Sequence, residues 1–311
     1  TSTTVFAMVS SSQDLLELEF TFPTDRKGMV SSMKSKKRNL FFDYLLIFII
    51  GFVLLYPIIW MFFSTFKTNE EIFGSFKLLP ESFSFQYYID GWKGSGKFTY
   101  AKFFLNTFIM VVPTTLLTVL SATFVAYGFA RFNFPGKKFL FILLLAMMML
   151  PNAVVIIPRY TLYNKFHWVD SYMPFYAPAV LCCNSFFPYM IIQFLRGIPR
   201  ELDESAYIDG CGTFKTLTRI ILPLMKPALF SAGLFQFLWT YNDYFNSLIF
   251  INSVKKYPIS LALRMSLDAE SVVQWGKVLA MATVAVIPVM ILFFAAQKYF
   301  VEGIATSGLK G

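Results

Sequence analysis

The chain has 311 residues, of which 56% are hydrophobic and only 14% are charged, and its mean hydropathy is +0.58. Soluble domains carry nearer a quarter of charged residues, so this composition excludes an ordinary soluble protein and indicates several membrane spans. The net charge of +9 lies in short basic clusters beside apolar runs, a pattern typical of membrane flanks rather than of nucleic-acid binding.

The first 38 residues are predicted to form a tail ahead of a membrane domain that covers residues 39–311. The tail begins with Thr1 and lacks the basic region and clean apolar run of a signal peptide. The segment MKSKKRN, which starts at Met33, is more typical of a native start. We therefore expect the residues before Met29 or Met33 to be an artefact of the start codon or of cloning.

Six transmembrane helices are predicted, so the fold class is an all-α membrane protein. The apolar runs cover residues 45–63, 103–129, 139–157, 173–195, 227–251 and 278–296. The first has nineteen residues and rises about 28 Å, enough for the hydrocarbon core. Prolines are expected to kink or interrupt the spans at Pro57, Pro113, Pro151, Pro178 and Pro188. Lysines and an arginine at 34–38 predict a cytoplasmic N-terminus, and six spans then place both termini in the cytoplasm.

A near-match to a phosphate-binding loop, GWKGSGKF, covers residues 91–98 in a polar and aromatic segment between the first two spans. Such a loop needs Ser or Thr directly after its Lys to hold magnesium, and here Phe98 follows Lys97. No buried strand is predicted before it. We therefore expect no ATP hydrolysis by this chain.

A polar island at about 199–227 separates the fourth and fifth spans and is predicted to form two helices joined by a sharp turn. Pro199 suits the start of the first helix, where acidic residues are also favoured, here Glu201, Asp203 and Glu204. Gly210 and Gly212 are expected to end that helix and to turn the chain.

Thr213 is predicted to cap the second helix of the island. Its apolar residues are expected to share one face: Phe214, Leu217, Ile220 and Ile221. Pro223 and Pro227 bracket its end.

The island resembles the EAA loop of ABC-importer permeases, whose pattern is E-A-A-x-x-D-G-A followed by a helix and L-P. The matching residues are Glu204, Ala206, Asp209, Gly210, Leu222 and Pro223. Ser205 and Cys211 replace the usual alanines, but both are small, so close helix approach is preserved. The motif AYGFARFNFPG at 126–136 and the C-terminal sequence resemble the carbohydrate branch of the same family. The resemblance covers about residues 40–311.

This resemblance implies the type I ABC importer permease fold, with a cytoplasmic coupling helix in a bacterial inner membrane. The implied partners are a second, different permease, two cytoplasmic ATPases that carry ATP and magnesium, and an external solute-binding protein. The implied cargo is a sugar or oligosaccharide, and this chain itself would hold no cofactor. The implied ATPase-docking residues are Glu204, Ser205, Ala206, Asp209, Gly210, Gly212 and Pro223.

Four polar residues in or near the spans are predicted to line the translocation pathway: Asn106, Asn152, Asn242 and Asp243. Asp243 is the only carboxylate placed within or at the edge of the membrane between spans two and six. Intramembrane acids are costly and usually face a cavity or a partner. A pathway residue and an interfacial anchor are both open interpretations of Asp243.

Three other function classes are alternatives to a sugar importer. An importer of another solute would keep the loop and change the cavity. A secondary carrier would need buried carboxylate networks, which the sequence nearly lacks. An intramembrane enzyme would need a facing nucleophile and base, but His167 is predicted outside the membrane and no acid pair is present. The three cysteines, Cys182, Cys183 and Cys211, form no metal-ligand pattern with it, so no metal site is expected.

Overall fold

The computed structural model describes residues 40–94, 97–268 and 273–308, and these residues contain many helices and no β-strand. The predicted tail at 1–38, with both candidate start residues, lies outside the described part. The chain divides into one compact unit up to Ile58 and a second from Ile59 onwards.

Helix α1 spans Leu40–Ser64 and includes the first predicted span. Between Phe42 and Ile58 its side chains are exposed or partly exposed, as expected for a segment that faces lipid. Pro57 lies inside this helix.

The segment after α1 is polar in sequence but partly packed. It contains two short helices, α2 (Asn69–Gly74) and α3 (Gln86–Trp92). Lys67 is buried, and its ammonium group donates a hydrogen bond to the carbonyl of Lys77. The near-match to a phosphate-binding loop begins inside α3 rather than after a strand, and residues 95 and 96 of it lie outside the described residues.

Helix α4 (Tyr100–Arg131) is the central helix of the second unit and is longer than its predicted span. It packs against α7 (Met173–Val180), α8 (Phe186–Arg196) and α11 (Lys226–Tyr241). One apolar cluster surrounds Phe103 near the start of α4, and another surrounds Phe187 nearer its end.

The third predicted span is a bent pair of helices. Helix α5 (Lys137–Met148) and helix α6 (Asn152–Lys165) meet at 103°. Pro151 precedes α6, so the helix is interrupted at the proline where the sequence predicted a break.

The fourth predicted span is also broken, but not at its prolines. The break falls at residues 181–185, between α7 and α8. Pro178 lies inside α7, and its carbonyl accepts a hydrogen bond from the amide of Cys183 after Cys182 has adopted a φ of 54°. Pro188 lies in the first turn of α8, where a missing N–H costs nothing.

The fifth predicted span, residues 227–251, falls on two helices rather than one. Helix α10 (Thr213–Leu224) precedes this span and meets α11 at 78°. After α11 ends at Tyr241, a separate helix α12 (Tyr244–Phe250) begins, because the Asp243 side chain accepts a hydrogen bond from the amide of Asn246 and caps it. Helices α13 (Ile259–Asp268) and α14 (Trp275–Gly308) complete the described chain.

Three of the described helices are long and apolar enough to cross a membrane, and five candidates result if each bent pair counts as one span. The fourth predicted span falls on α7 and α8, which have only 8 and 11 residues. The number of six spans therefore stays a prediction.

Candidate functional site

The polar island folds into two helices joined by a turn, which we call the elbow: α9 (Glu201–Ile208), residues 209–212 and α10. Gly210 has a φ of 74°, a left-handed conformation that favours glycine. Gly212 has a φ of −71° and a ψ of 160°, which any residue can adopt, so only Gly210 fulfils the predicted turning role.

The start of α10 differs from the prediction in two respects. Thr213 is its first helical residue, and Gly212 occupies the cap position with no side-chain hydrogen bond, so the predicted Thr213 cap was wrong. Leu217 and Ile221 are buried, but Phe214 is 67% exposed and does not share their face. A π-helical turn over Leu217–Ile221 departs from the helical period on which that prediction relied.

Two arginines hold the elbow and the residues just before it against the C-terminal end of α4. Arg131 Nε lies 2.9 Å from Asp203 Oδ2, and these side chains are only 7% and 22% exposed. Arg131 also donates to the carbonyl of Ile198 at 3.2 Å, and Arg200 donates back to the carbonyl of Ala130 at 3.1 Å. One contact, through Asp203, therefore reaches the elbow itself, and two hold residues 198–200, which lead into the elbow, against the end of α4.

The seven predicted docking residues all lie on the elbow, and most are accessible. Exposed members are Glu204, Ser205, Asp209, Gly210, Gly212 and Pro223. Ala206 instead is buried, and its carbonyl accepts a hydrogen bond from the amide of Cys211 at 2.9 Å. A larger residue at 206 would not fit under the turn.

Sequence reasoning missed an apolar patch at the tip of the elbow. Tyr207, Ile208 and Phe214 are 81%, 83% and 67% exposed. They are exposed apolar residues within an otherwise charged and polar island, and that contrast was the available signal.

A cavity of about 730 Å³ lies beside α4, and residues of α6, α7, α8 and α11 also line it. Of the four predicted pathway residues, Asn152 and Asp243 line this cavity. Asn106 does not: it is buried and donates to the carbonyls of Lys255 and Tyr257, at 2.9 and 3.0 Å. Asn242 is exposed and donates to the carbonyl of its own helix at Leu238.

The polar groups of the cavity form a small network. The Asp243 carboxylate accepts hydrogen bonds from the side-chain amide of Asn246, the shorter at 2.8 Å. Arg159 donates to Asn152 Oδ1 at 3.3 Å. Gln236 and Trp239 also line the cavity. Their spacing from Asp243, at i, i+3 and i+7, is a helical pattern that is visible in the sequence.

Residues 119–306 match the family of binding-protein-dependent transport system inner membrane components. The chain belongs to this family. It is 33% identical over 256 residues to a probable ABC transporter permease, YurM of Bacillus subtilis, covering 82% of this chain and 84% of that protein. It is 30% identical over 265 residues to the trehalose/maltose transport system permease MalG of Thermococcus litoralis, covering 85% of this chain and 94% of that protein.

Comparison with a solved transporter structure confirms the predicted fold of this chain. A chain from a bacterial ABC transporter that imports the acidic polysaccharide alginate superposes with a TM-score of 0.75 at 20% identity. The match covers 86% of this chain and 98% of that one. The predicted all-α importer-permease fold and the predicted family are therefore both confirmed.

Proposed function

We propose that this chain is one membrane subunit of an ATP-driven importer that moves a sugar or oligosaccharide. The observation that supports this proposal most directly is the elbow. Its tip exposes acidic and apolar residues, and the Arg131–Asp203 ion pair attaches it to the central helix α4. Family membership and the trehalose/maltose permease among its relatives support the sugar as cargo.

The elbow has the properties needed to receive force from a soluble partner. Glu204 is exposed on α9 and can pair with a basic group, while Tyr207 and Ile208 can enter an apolar depression. Because α4 is bonded to the elbow, a displacement of the tip moves the central helix too. Rocking of such helices against a second subunit opens and closes a pathway.

This role implies the other subunits of the importer. Two cytoplasmic ATPases would supply ATP and magnesium, a second and different permease would complete the pathway, and an external solute-binding protein would deliver the sugar. This chain would neither hydrolyse ATP nor hold a cofactor, and it would bind no nucleic acid. It would lie in a bacterial inner membrane as a multi-pass protein with both termini in the cytoplasm.

The test is Glu204→Ala in the complete importer, with Glu70→Ala, another exposed acid, as the matched control. We expect uptake to fall about tenfold, as for the loss of one charged hydrogen bond, while ATP hydrolysis and membrane insertion persist. Normal uptake by the Glu204 variant would contradict the role of the elbow. Uptake of only non-sugar solutes by the unmodified importer would favour the alternative, an importer of another solute.

A further inference from the structure

We propose that the 730 Å³ cavity holds one ring of a neutral saccharide, bound by Gln236, Trp239 and Asp243 of this chain. The inference rests on the proposed function, since it names the ligand and the binding residues of the importer's own membrane cavity. It assigns the sugar contact to this subunit rather than to its partner. The volume lies within the range of small-ligand sites, about 300–1,000 Å³.

Gln236 supplies an acceptor that has no donor. The residue is only 8% exposed, and its side-chain amide donates to Thr240 Oγ1 at 2.7 Å. Its Oε1 atom is buried and accepts no hydrogen bond from any described residue. Leaving such an atom unpaired costs about 1–3 kcal/mol, and a ligand hydroxyl that donates to it removes that cost.

Trp239 supplies a fixed aromatic face. Phe186 and Phe187 pack against its indole, with ring centroids 5.0 and 5.3 Å away, and these contacts set its orientation. The side chain is nevertheless exposed and lines the cavity. The negative face of an aromatic ring attracts the weakly positive C–H groups on the flat side of a sugar ring.

Asp243 decides the charge class of the ligand. Asn246 holds its carboxylate in place through the backbone and side-chain amides, and the oxygens keep free lone pairs for ligand hydroxyls. Arg159 also lines this cavity, where it donates to the neutral side chain of Asn152 and keeps its positive charge. Because the charges of Asp243 and Arg159 cancel, the cavity has no net charge to attract a ligand carboxylate, so a neutral saccharide is favoured over a uronate.

The first arm of the experiment identifies the cargo. The complete importer, in proteoliposomes with its external binding protein, is offered neutral oligosaccharides and uronate-containing ones of the same length. Import of a neutral saccharide is expected. Import of none would overturn the proposed function itself, and import of uronates alone would overturn the neutral class.

The second arm uses the imported sugar and omits the binding protein. Its binding to the permease–ATPase complex in nanodiscs is measured by equilibrium dialysis, with and without vanadate trapping. We expect Gln236→Met and Trp239→Leu each to weaken binding about tenfold, and Trp239→Phe to stay within about threefold of the unmodified protein. Gln193→Met and Trp92→Leu, on exposed residues outside this cavity, are the matched controls.

Folding and binding effects are separated within the same variants. Gln236→Met keeps the side-chain length and removes both a buried unpaired acceptor and the hydrogen bond to Thr240, two changes with opposite effects on stability. Its unfolding temperature should therefore stay close to that of the unmodified chain while it binds sugar more weakly. If Gln236 only stabilised the fold, Gln236→Met would lower the unfolding temperature and leave sugar binding unchanged. The site is overturned if the unmodified complex imports the sugar but does not bind it. It is also overturned if the Gln236→Met and Trp239→Leu complexes bind the sugar as well as the unmodified complex does. In both cases the proposed function stands.

Discussion

Arg131 and Asp203 join the end of α4 to the first turn of α9 through an ion pair of 2.9 Å that is largely shielded from solvent. Both residues lie at the start of the path by which an elbow movement reaches the central helix. Removing one partner of a buried pair leaves an uncompensated charge, which costs about 3–5 kcal/mol. We therefore expect Arg131→Met to lower the unfolding temperature of the purified chain and the amount of sugar imported per ATP. Lys138→Met, on an exposed lysine nearby in sequence, is the control, and equal losses in both variants would contradict this link.

The apolar tip of the elbow should contribute to ATPase docking. Ile208→Ser removes an exposed apolar side chain without disturbing a packed neighbour. Burial of such a side chain at an interface contributes about 1.5–3 kcal/mol, so the ATPase should bind the permease complex at least about tenfold more weakly. The measurement is titration of the purified ATPase onto the complex in nanodiscs. Phe76→Ser, on another exposed residue, should leave affinity unchanged.

The two glycines of the elbow should differ in their tolerance of a side chain. Gly210→Ala places a Cβ on a left-handed backbone, which costs about 1–2 kcal/mol. Gly212→Ala meets no steric or conformational obstacle, since its φ is ordinary and nothing lies within 4 Å of the added atom. Thermal unfolding should be impaired only in the first variant. Equal behaviour would show that the turn at 210 relaxes freely.

Asp170, which lies between α6 and α7 and outside the candidate spans, should form an acid-sensitive contact with the segment between α12 and α13. Its carboxylate accepts hydrogen bonds from the amides of Asn252 and Ser253 and pairs with Lys256 at 3.1 Å. Burial alone raises the pKa of Asp170, but the hydrogen bonds from Ser253 and Lys256 outweigh it and hold the pKa well below its ordinary value.

A carboxyl group whose pKa is lowered by folding stabilises the folded chain at pH values above its pKa in the unfolded chain, about 3.9. This stabilisation is lost as the pH falls through the pKa of the folded chain. We expect Asp170→Asn to cost about 2 kcal/mol of unfolding free energy between pH 5 and 8, typical of hydrogen bonds to a charged group. The difference from the unmodified chain should shrink below about pH 4 in thermal unfolding scans. A difference that does not change with pH would contradict the charged contact.

Asn106 should affect stability rather than transport selectivity. Its buried amide donates to two backbone carbonyls in the segment before α13, so Asn106→Ala leaves those acceptors unpaired at a cost of about 1–3 kcal/mol. Asn152→Ala, in contrast, changes a cavity wall and should alter sugar binding with little loss of stability. Unfolding temperature and sugar affinity, measured on both variants, distinguish the two roles.

Local chemistry predicted the elbow well because its determinants are close together in sequence. The acidic first turn, the glycine at 210 and the small residue at 206 each act within one helix and one turn. The ion pair from Arg131 to Asp203 could not be predicted in this way, since it joins residues 72 positions apart and depends on how α4 packs.

Apolar runs predicted where the chain is membrane-like, but not where its helices end. Asn242 and Asp243 are polar residues inside a predicted span, but hydropathy alone does not show that α11 ends there and that Asp243 caps a new helix. Prolines were likewise an uneven guide: the chain is interrupted before α6 at Pro151, but α1 and α4 continue through Pro57 and Pro113. The cavity residues Gln236 and Trp239 follow helical spacing, but that spacing becomes informative only once the adjoining walls are known.

The bend between α5 and α6 limits which side of the molecule can touch lipid. Helix α5 has 12 residues and rises about 18 Å, well short of a hydrocarbon thickness of about 30 Å. The chain then turns aside through Met149 and Leu150, both exposed, before α6 begins. Irregular backbone is found at membrane depth only where protein or water surrounds it. We therefore expect this corner to lie against water or against another polypeptide rather than against acyl chains.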